Sequence, residues 1–310
     1  MQRIPLRCKT ELSLEITLNA GQAFRWKRNN ENEWVGAIGN RLYFLKESDT
    51  ALLYRTHSSS PGDREALEDY FRLSVSCSDL YREWGLADPN FREKVVGVEG
   101  LRLLRQDPGE ALIAFICSSN NNVTRISAML NRMCESFGSP LGEAGGVIHY
   151  AFPTLAVLAG NKVEATLRGL GFGYRAAYVQ QTAQMIMEQL GGEAWLQSLR
   201  HASYETARSD LQRLPGVGPK VADCVCLMGL DKLQAVPVDT HVLRIAERDY
   251  GLKKEGRGLP AGYYKRVGDM FHSVFGSTAG WAQAVLFAAE LKRSTSGQGE
   301  GSARRKQAVV

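Results

Sequence analysis

Along the first hundred residues the apolar positions fall mostly at a spacing of two. Leu12, Leu14, Ile16 and Leu18 alternate with polar neighbours, the period of a strand with one buried face. Trp34-Val-Gly-Ala-Ile38 and Arg41-Leu-Tyr-Phe-Leu45 flank the turn pair Gly39-Asn40, which predicts a β-hairpin. Ala51-Leu-Leu-Tyr54 adds a candidate strand, after which Asp63–Arg72 changes to helical periodicity. An antiparallel sheet with helices packed on it accounts for this pattern.

From about Pro108 the period lengthens. Helical patterns run over Glu110–Ser118, Val123–Phe137, Lys162–Leu170, Ala176–Leu190 and Tyr204–Leu211, with Gly and Pro between them. The expected organisation is α+β: an antiparallel sheet domain over 1–108, a mostly helical domain over 109–293, and a disordered basic tail over 294–310. The tail is expected to be disordered because Ser, Gly, Lys and Arg cannot bury enough surface to order it. Arg304-Arg-Lys306 within it reads as a solvated charge run before it reads as a nuclear import signal.

Composition narrows the class. The 310 residues are 44% hydrophobic, enough for a substantial core. A net charge of +5 suits a polyanionic partner without requiring one. Cys8, Cys77, Cys117, Cys134, Cys224 and Cys226 show neither the CxxC pairing of a zinc site nor a four-cysteine cluster run. Without a signal-like start, they are expected as reduced intracellular thiols. No apolar run reaches membrane-spanning length.

The chemistry concentrates in Leu214-Pro-Gly-Val-Gly-Pro-Lys-Val-Ala-Asp223 and Val236-Pro-Val-Asp-Thr-His241. Pro215, Gly216 and Gly218 end one helix as Lys220 begins the next, so backbone amides near Gly216 and Gly218 can receive a phosphate. An amine at a helix N-terminus meets the positive end of the helix dipole, and Val217, Val221 and Ala222 surround it with apolar groups. Both effects favour the neutral, nucleophilic form. Asp239, just beyond Pro237, is placed to cap the helix that begins near His241. Each feature has a plain structural explanation taken singly: a turn, a solvated cation, a cap. Their order and spacing together point to chemistry on DNA.

With these elements in place, the chain closely resembles the eukaryotic 8-oxoguanine DNA glycosylase family, helix-hairpin-helix base-excision enzymes, from about Leu12 to Leu291. Besides the hairpin and Val236-Pro-Val-Asp239, the resemblance rests on Gly21-Gln-Ala-Phe-Arg-Trp26, Phe115-Ile-Cys-Ser-Ser-Asn-Asn-Asn122, Gly171-Phe-Gly-Tyr-Arg175 and Gly280-Trp-Ala-Gln-Ala-Val-Leu-Phe287. It implies a bifunctional N-glycosylase and abasic-site lyase that needs no cofactor and no metal. The implied substrate is 8-oxoguanine, or ring-opened formamidopyrimidine guanine, opposite cytosine in duplex DNA. Lys220 would attack C1′ and form the Schiff base, and Asp239 would stabilise the cationic sugar. Phe287 and Cys224 would sandwich the flipped base, Gln283 would bond its Watson–Crick edge, Pro237 would border the pocket, and the Gly21 carbonyl would accept from N7–H. Asn120, Arg125 and Arg175 would read the orphaned cytosine while Tyr174 wedges the stack. His241, with Gly216 and Gly218, would contact phosphate. The resemblance further implies a monomer with no membrane partner that repairs nuclear DNA, and it leaves a mitochondrial pool open.

Two departures from the family pattern are visible: Glu290 stands where Asp is common, and the 252–264 loop is short. They bear on fine DNA contacts. Two other readings compete. A glycosylase for another lesion would keep Lys220 and Asp239 but change Gly21, Gln283 and Phe287. A non-catalytic DNA-binding module would leave Lys220 exposed and far from Asp239.

Overall fold

The computed structural model describes the backbone of residues 1–89, 91–253 and 260–306, with side chains to residue 293. Five strands form one antiparallel sheet: β1 (Gln2–Pro5), β2 (Lys27–Arg28), β3 (Trp34–Ile38), β4 (Arg41–Ser48) and β5 (Ala51–Thr56), in the order β1-β5-β4-β3-β2. The hairpin expected around Gly39-Asn40 is β3–β4, with Ile38 paired to Arg41. Tyr43 and Leu45 of β4 share a core with Leu52, Tyr54 and Trp26, capped by Leu67 and Phe71 of the α2 region (Asp63–Tyr70). Leu42 and Phe44 point to the opposite face, where with Val35 they meet Leu141 and Ala144. Those last two lie in β6 (Pro140–Ala144), which pairs with β7 (Val147–Tyr150) across Gly145-Gly146, both at positive φ. Both faces of the sheet are therefore covered, one of them by a hairpin from the second half of the chain.

One strand expectation is corrected. Leu14–Asn19 is a helix, α1, rather than part of an alternating strand. Ser13 caps it, accepting from the Ile16 amide, and Glu47 accepts from the Leu14 amide at 2.5 Å. Leu14, Thr17 and Leu18 are buried, the i, i+3, i+4 pattern of a helix face, whereas Ile16 is only half-buried. The spacing of two was an accident of four apolar residues in a short segment.

The remaining helices are α3 (Cys77–Ala87), α4 (Phe91–Lys94), α5 (Pro108–Ile116), α6 (Val123–Phe137), α7 (Leu155–Leu158), α8 (Val163–Gly169), α9 (Arg175–Gln189), α10 (Glu193–Ser198), α11 (Tyr204–Leu211), α12 (Pro219–Gly229), α13 (Thr240–Asp249), α14 (Ala261–Phe275) and α15 (Ala279–Lys306). They enclose the larger core, to which α3 and α4 contribute Leu80, Trp84 and Phe91. α12 is its axis, with every residue from Val221 to Gly229 buried. A methyl on Gly229 would lie 3.1 Å from Pro108 Cα, so α12 and α5 pack backbone to backbone. The backbone of α15 continues helical to Lys306, into the segment read from the sequence as a basic tail. Residues 307–310 lie outside the described residues.

Candidate active site

The amphipathic period of α12 places Lys220, Cys224 and Met228 on one face, each four residues from the next. All three line a cleft of ≈ 480 Å³ together with Gly21, Phe115, Pro237, Asp239, Gln283 and Phe287. Larger grooves elsewhere on the surface include none of Lys220, Asp239 and Phe287 in their walls.

Lys220 is half-buried. Its Nζ donates to Ser118 Oγ at 3.2 Å and stands 5.2 Å from the centroid of the Phe115 ring. Ser118 is itself fixed, its hydroxyl donating to the Phe115 carbonyl at 2.7 Å. Burial pushes the Cys224 thiol up to about 11, against the pull of Lys220 beside it. Cys224 therefore offers a polarisable surface rather than a competing nucleophile.

Asp239 caps α13. Its Oδ1 accepts from the His241 and Val242 amides, both at 2.9 Å. Among the described residues no hydrogen bond engages Oδ2. The carboxylate is thus held at a helix N-terminus, where negative charge is favoured, with one oxygen still available to the cleft. Val236, Pro237 and Val238, which lead into it, are buried. Lys220 is neither fully exposed nor remote from Asp239, contrary to what a purely DNA-binding module would show.

Gly21 enters from the sheet half of the chain with φ +73, a conformation that favours glycine. A Cβ there would lie 3.9 Å from Phe287 Cε1. The turn is held by the buried side chain of Gln22, which donates to the Thr17 and Arg102 carbonyls and accepts from the Leu104 amide. The Gln22 carbonyl accepts from Gln106 Nε2 at 2.6 Å, and the Gln106 amide donates to the Met228 carbonyl at 2.8 Å. This chain of bonds ties the Gly21 turn to α12.

α15 supplies the far wall. A methyl on Gly280 would collide with the Ala235 carbonyl at 2.1 Å, and the Gly280 amide donates to the Leu233 carbonyl at 2.9 Å, so the helix start lies directly on the segment leading to Pro237. Gln283 is only 4% exposed, yet among the described residues its amide makes no hydrogen bond. Its amide reaches the cleft, where it can meet an external partner. Phe287 is half-buried and meets the His241 ring edge to face, centroids 5.6 Å apart. His241 thus packs on the pocket's aromatic wall, and its Nδ1 lies 3.4 Å from Arg244 Nη2.

Beside the cleft, Asn120 is exposed in the left-handed region at φ +48, and Arg125 is exposed at the start of α6. Arg175 is buried and donates to the Ser119 and Asn120 carbonyls, so without DNA its guanidinium braces the asparagine-rich turn. Tyr174 is 45% exposed and donates to the Ser119 carbonyl at 3.2 Å. Gly216, at φ +77, has no room for a side chain because the Tyr178 ring lies 2.7 Å from where its Cβ would be. Gly218 occupies the N-cap of α12 with no capping side chain, leaving the first-turn amides open to an anion.

Sequence reasoning assigned no role to Ser118, Gln22, Gln106 or Met228. Met228 could have been read from the helical period after Cys224; the others act through partners too distant in sequence to signal themselves. Glu290 is buried and accepts from Arg248 Nη1 at 3.0 Å, an ion pair that anchors α15 to α13. In the short 252–264 loop, residues 254–259 lie outside the described residues. Among the described residues no group of three or more His, Cys, Asp or Glu side chains could hold a metal, and no helix is long and apolar enough to cross a membrane.

The model of the 8-oxoguanine DNA glycosylase N-terminal domain matches residues 5–112, and that of the HhH-GPD superfamily of base excision DNA repair proteins matches residues 113–258. The chain is 42% identical over 287 residues to the N-glycosylase/DNA lyase OGG1 of Arabidopsis thaliana, an alignment spanning 91% of this chain and 78% of the relative. It is 37% identical over 335 residues to the N-glycosylase/DNA lyase of Saccharomyces cerevisiae, covering 96% and 89%. Among solved structures it resembles the Clostridium acetobutylicum 8-oxoguanine glycosylase/lyase in complex with double-stranded DNA containing cytosine opposite 8-oxoG. That match has a TM-score of 0.83 and 26% identity, and covers 95% of this chain and 99% of the other.

Proposed function

The chain belongs to the 8-oxoguanine DNA glycosylase family of base-excision repair enzymes, and we propose that it excises 8-oxoguanine, and ring-opened formamidopyrimidine guanine, opposite cytosine in duplex DNA and then cleaves the strand as a lyase. The observation that carries this reading is the convergence on one cleft of Lys220 from α12, Asp239 from the cap of α13, Gly21 from the sheet half and Phe287 from α15.

A base inside the stack is out of reach, so the target nucleotide is extruded, at a cost of a few kcal/mol. The base slides between Phe287 and Cys224, the Gln283 amide takes its Watson–Crick edge, and Pro237 borders it. The Gly21 carbonyl accepts the N7–H that oxidised guanine has and guanine lacks. Guanine would set its N7 lone pair against that oxygen, a mismatch worth a few kcal/mol in a buried pocket. Lys220 Nζ then attacks C1′ as the C1′–N9 bond breaks, the electron pair leaving with the base, which takes up a proton. Positive charge that develops on the sugar faces Asp239, already oriented by two amides. Opening of the sugar ring converts the adduct to a Schiff base, and loss of a C2′ proton expels the 3′ phosphate.

Asn120, Arg125 and Arg175 take the widowed cytosine, with Tyr174 filling the gap in the stack. The open amides of α12 beside Gly216 and Gly218, together with His241, take backbone phosphate. A role in repair of genomic DNA supports a nuclear location and leaves a mitochondrial pool open. Base release from a duplex carrying one 8-oxoguanine opposite cytosine, measured beside an undamaged duplex, tests the assignment: release from the first alone supports it, and release from neither overturns it.

A further inference from the structure

The side of α12 turned away from the cleft carries a second cluster. Asp223, three residues after Lys220, is fully buried and accepts from Tyr204 Oη at 2.7 Å, Arg208 Nε at 2.8 Å and Tyr264 Oη at 2.5 Å. Burial raises the Asp223 carboxyl while these donors oppose it. Of the three, Tyr264 also reaches the 236–239 segment: its oxygen accepts the Val238 amide at 3.2 Å and lies 3.5 Å from the Val236 carbonyl oxygen. Val238 is 1% exposed, and among the described residues its amide has no other acceptor.

One hydroxyl therefore joins the helix that carries Lys220 to the residue preceding Asp239. We infer that Tyr264 is a positioning residue that sets the separation of Lys220 and Asp239 from behind the pocket, without touching substrate. This rests on the glycosylase/lyase reading. The physical argument is one of register. Val236–Asp239 is irregular backbone with no ladder of its own to fix its depth. Without the Tyr264 oxygen, the Val238 amide becomes a buried donor without an acceptor, and the segment must shift to find one. A shift of that kind moves Asp239, with the bordering Pro237, relative to Lys220, whereas Gln283 and Phe287 on α15 keep their hold on the base.

The test uses the full chain and an 8-oxoguanine:cytosine duplex, with single-turnover excision and lesion-duplex affinity measured separately. Tyr264→Phe keeps the ring and removes the tie; its excision rate falls about tenfold to hundredfold at nearly unchanged affinity, the scale expected of a small misplacement of reacting groups. Tyr204→Phe is the control, since it removes a bond to the same carboxylate without reaching Val238, and its rate stays close to wild type. Asp223→Asn is the second variant, replacing one acceptor oxygen by a donor in the same shape, and it too loses rate while retaining affinity. Wild-type rates in Tyr264→Phe and Asp223→Asn, or equal losses in the two Phe variants, would overturn the inference. An inactive wild-type protein would instead overturn the reading on which it rests.

Discussion

Lys220 Nζ donates to Ser118 Oγ across 102 residues of sequence, so the hydroxyl at the end of α5 holds the amine at the head of α12. The bond orients the amine toward the cleft instead of leaving it to sample solvent. Ser118→Ala should slow excision by no more than about tenfold, the worth of one hydrogen bond of about 1.4 kcal/mol, and leave lesion-DNA affinity unchanged. Single-turnover kinetics and a binding titration on the same duplex check this; a loss confined to affinity would contradict it.

Asp239 has two duties that a single substitution can separate. Asparagine retains an oxygen for the His241 and Val242 amides, so the α13 cap survives, but it loses the charge that faces the sugar cation. Asp239→Asn should lower base release by about 100-fold or more while changing melting temperature and affinity little. Unchanged single-turnover excision would remove Asp239 from the reaction.

For the opposite base, alanine at Asn120, Arg125 and Arg175 should each reduce the preference for cytosine by about 1–3 kcal/mol of discrimination. Arg175→Ala should also lower stability, because its guanidinium braces the Ser119 and Asn120 carbonyls in the free protein. Excision measured opposite each of the four bases decides the matter: preference that survives the combined loss of all three would show that cytosine is read elsewhere.

The support of the Gly21 turn is sensitive to acid. Arg102, whose carbonyl receives Gln22, pairs with Glu11 at 2.6 Å with both side chains buried. Burial alone would raise the Glu11 carboxyl, but donors from Ser78 and Cys77 and the Arg102 charge outweigh it and hold it below the usual range. A lowered folded-state value means stability that is present above the unfolded carboxylate value and lost as pH falls through the folded one. Glu11→Gln should cost about 3–5 kcal/mol at neutral pH by stranding Arg102. The difference from wild type should shrink below about pH 4.3. Denaturant unfolding at neutral and acid pH measures both, and a gap independent of pH would contradict the assignment.

What could be read from the sequence was what repeats or punctuates locally. α6 and α11 run over the expected residues because their apolar period is long and capped, by Asn122 and Ser203. The β3–β4 hairpin announced itself through Gly39-Asn40. The β6–β7 hairpin carried a comparable signal in Gly145-Gly146, yet its strands are short and hold no fully buried residue, and it lay hidden among helices. Leu12–Leu18 misled because six helical residues are too few to separate a period of 3.6 from one of two. At the site, Lys220, Cys224 and Asp239 follow from helix geometry and capping, whereas Gly21, Gln283 and Phe287 gain meaning only from the family. Ser118, Gln22 and Tyr264 act through partners 102, 82 and 41 residues away, and no local pattern reports such pairs.

The central claim is that Lys220 forms a covalent bond to the sugar. Borohydride reduction during reaction with a duplex carrying a single 8-oxoguanine opposite cytosine, run with wild-type protein and Lys220→Gln, tests it most directly. The wild type should yield a protein–DNA adduct along with released base, and the variant should bind the same duplex yet yield neither. An adduct formed by Lys220→Gln at the wild-type level would place the nucleophile on another residue and contradict the account.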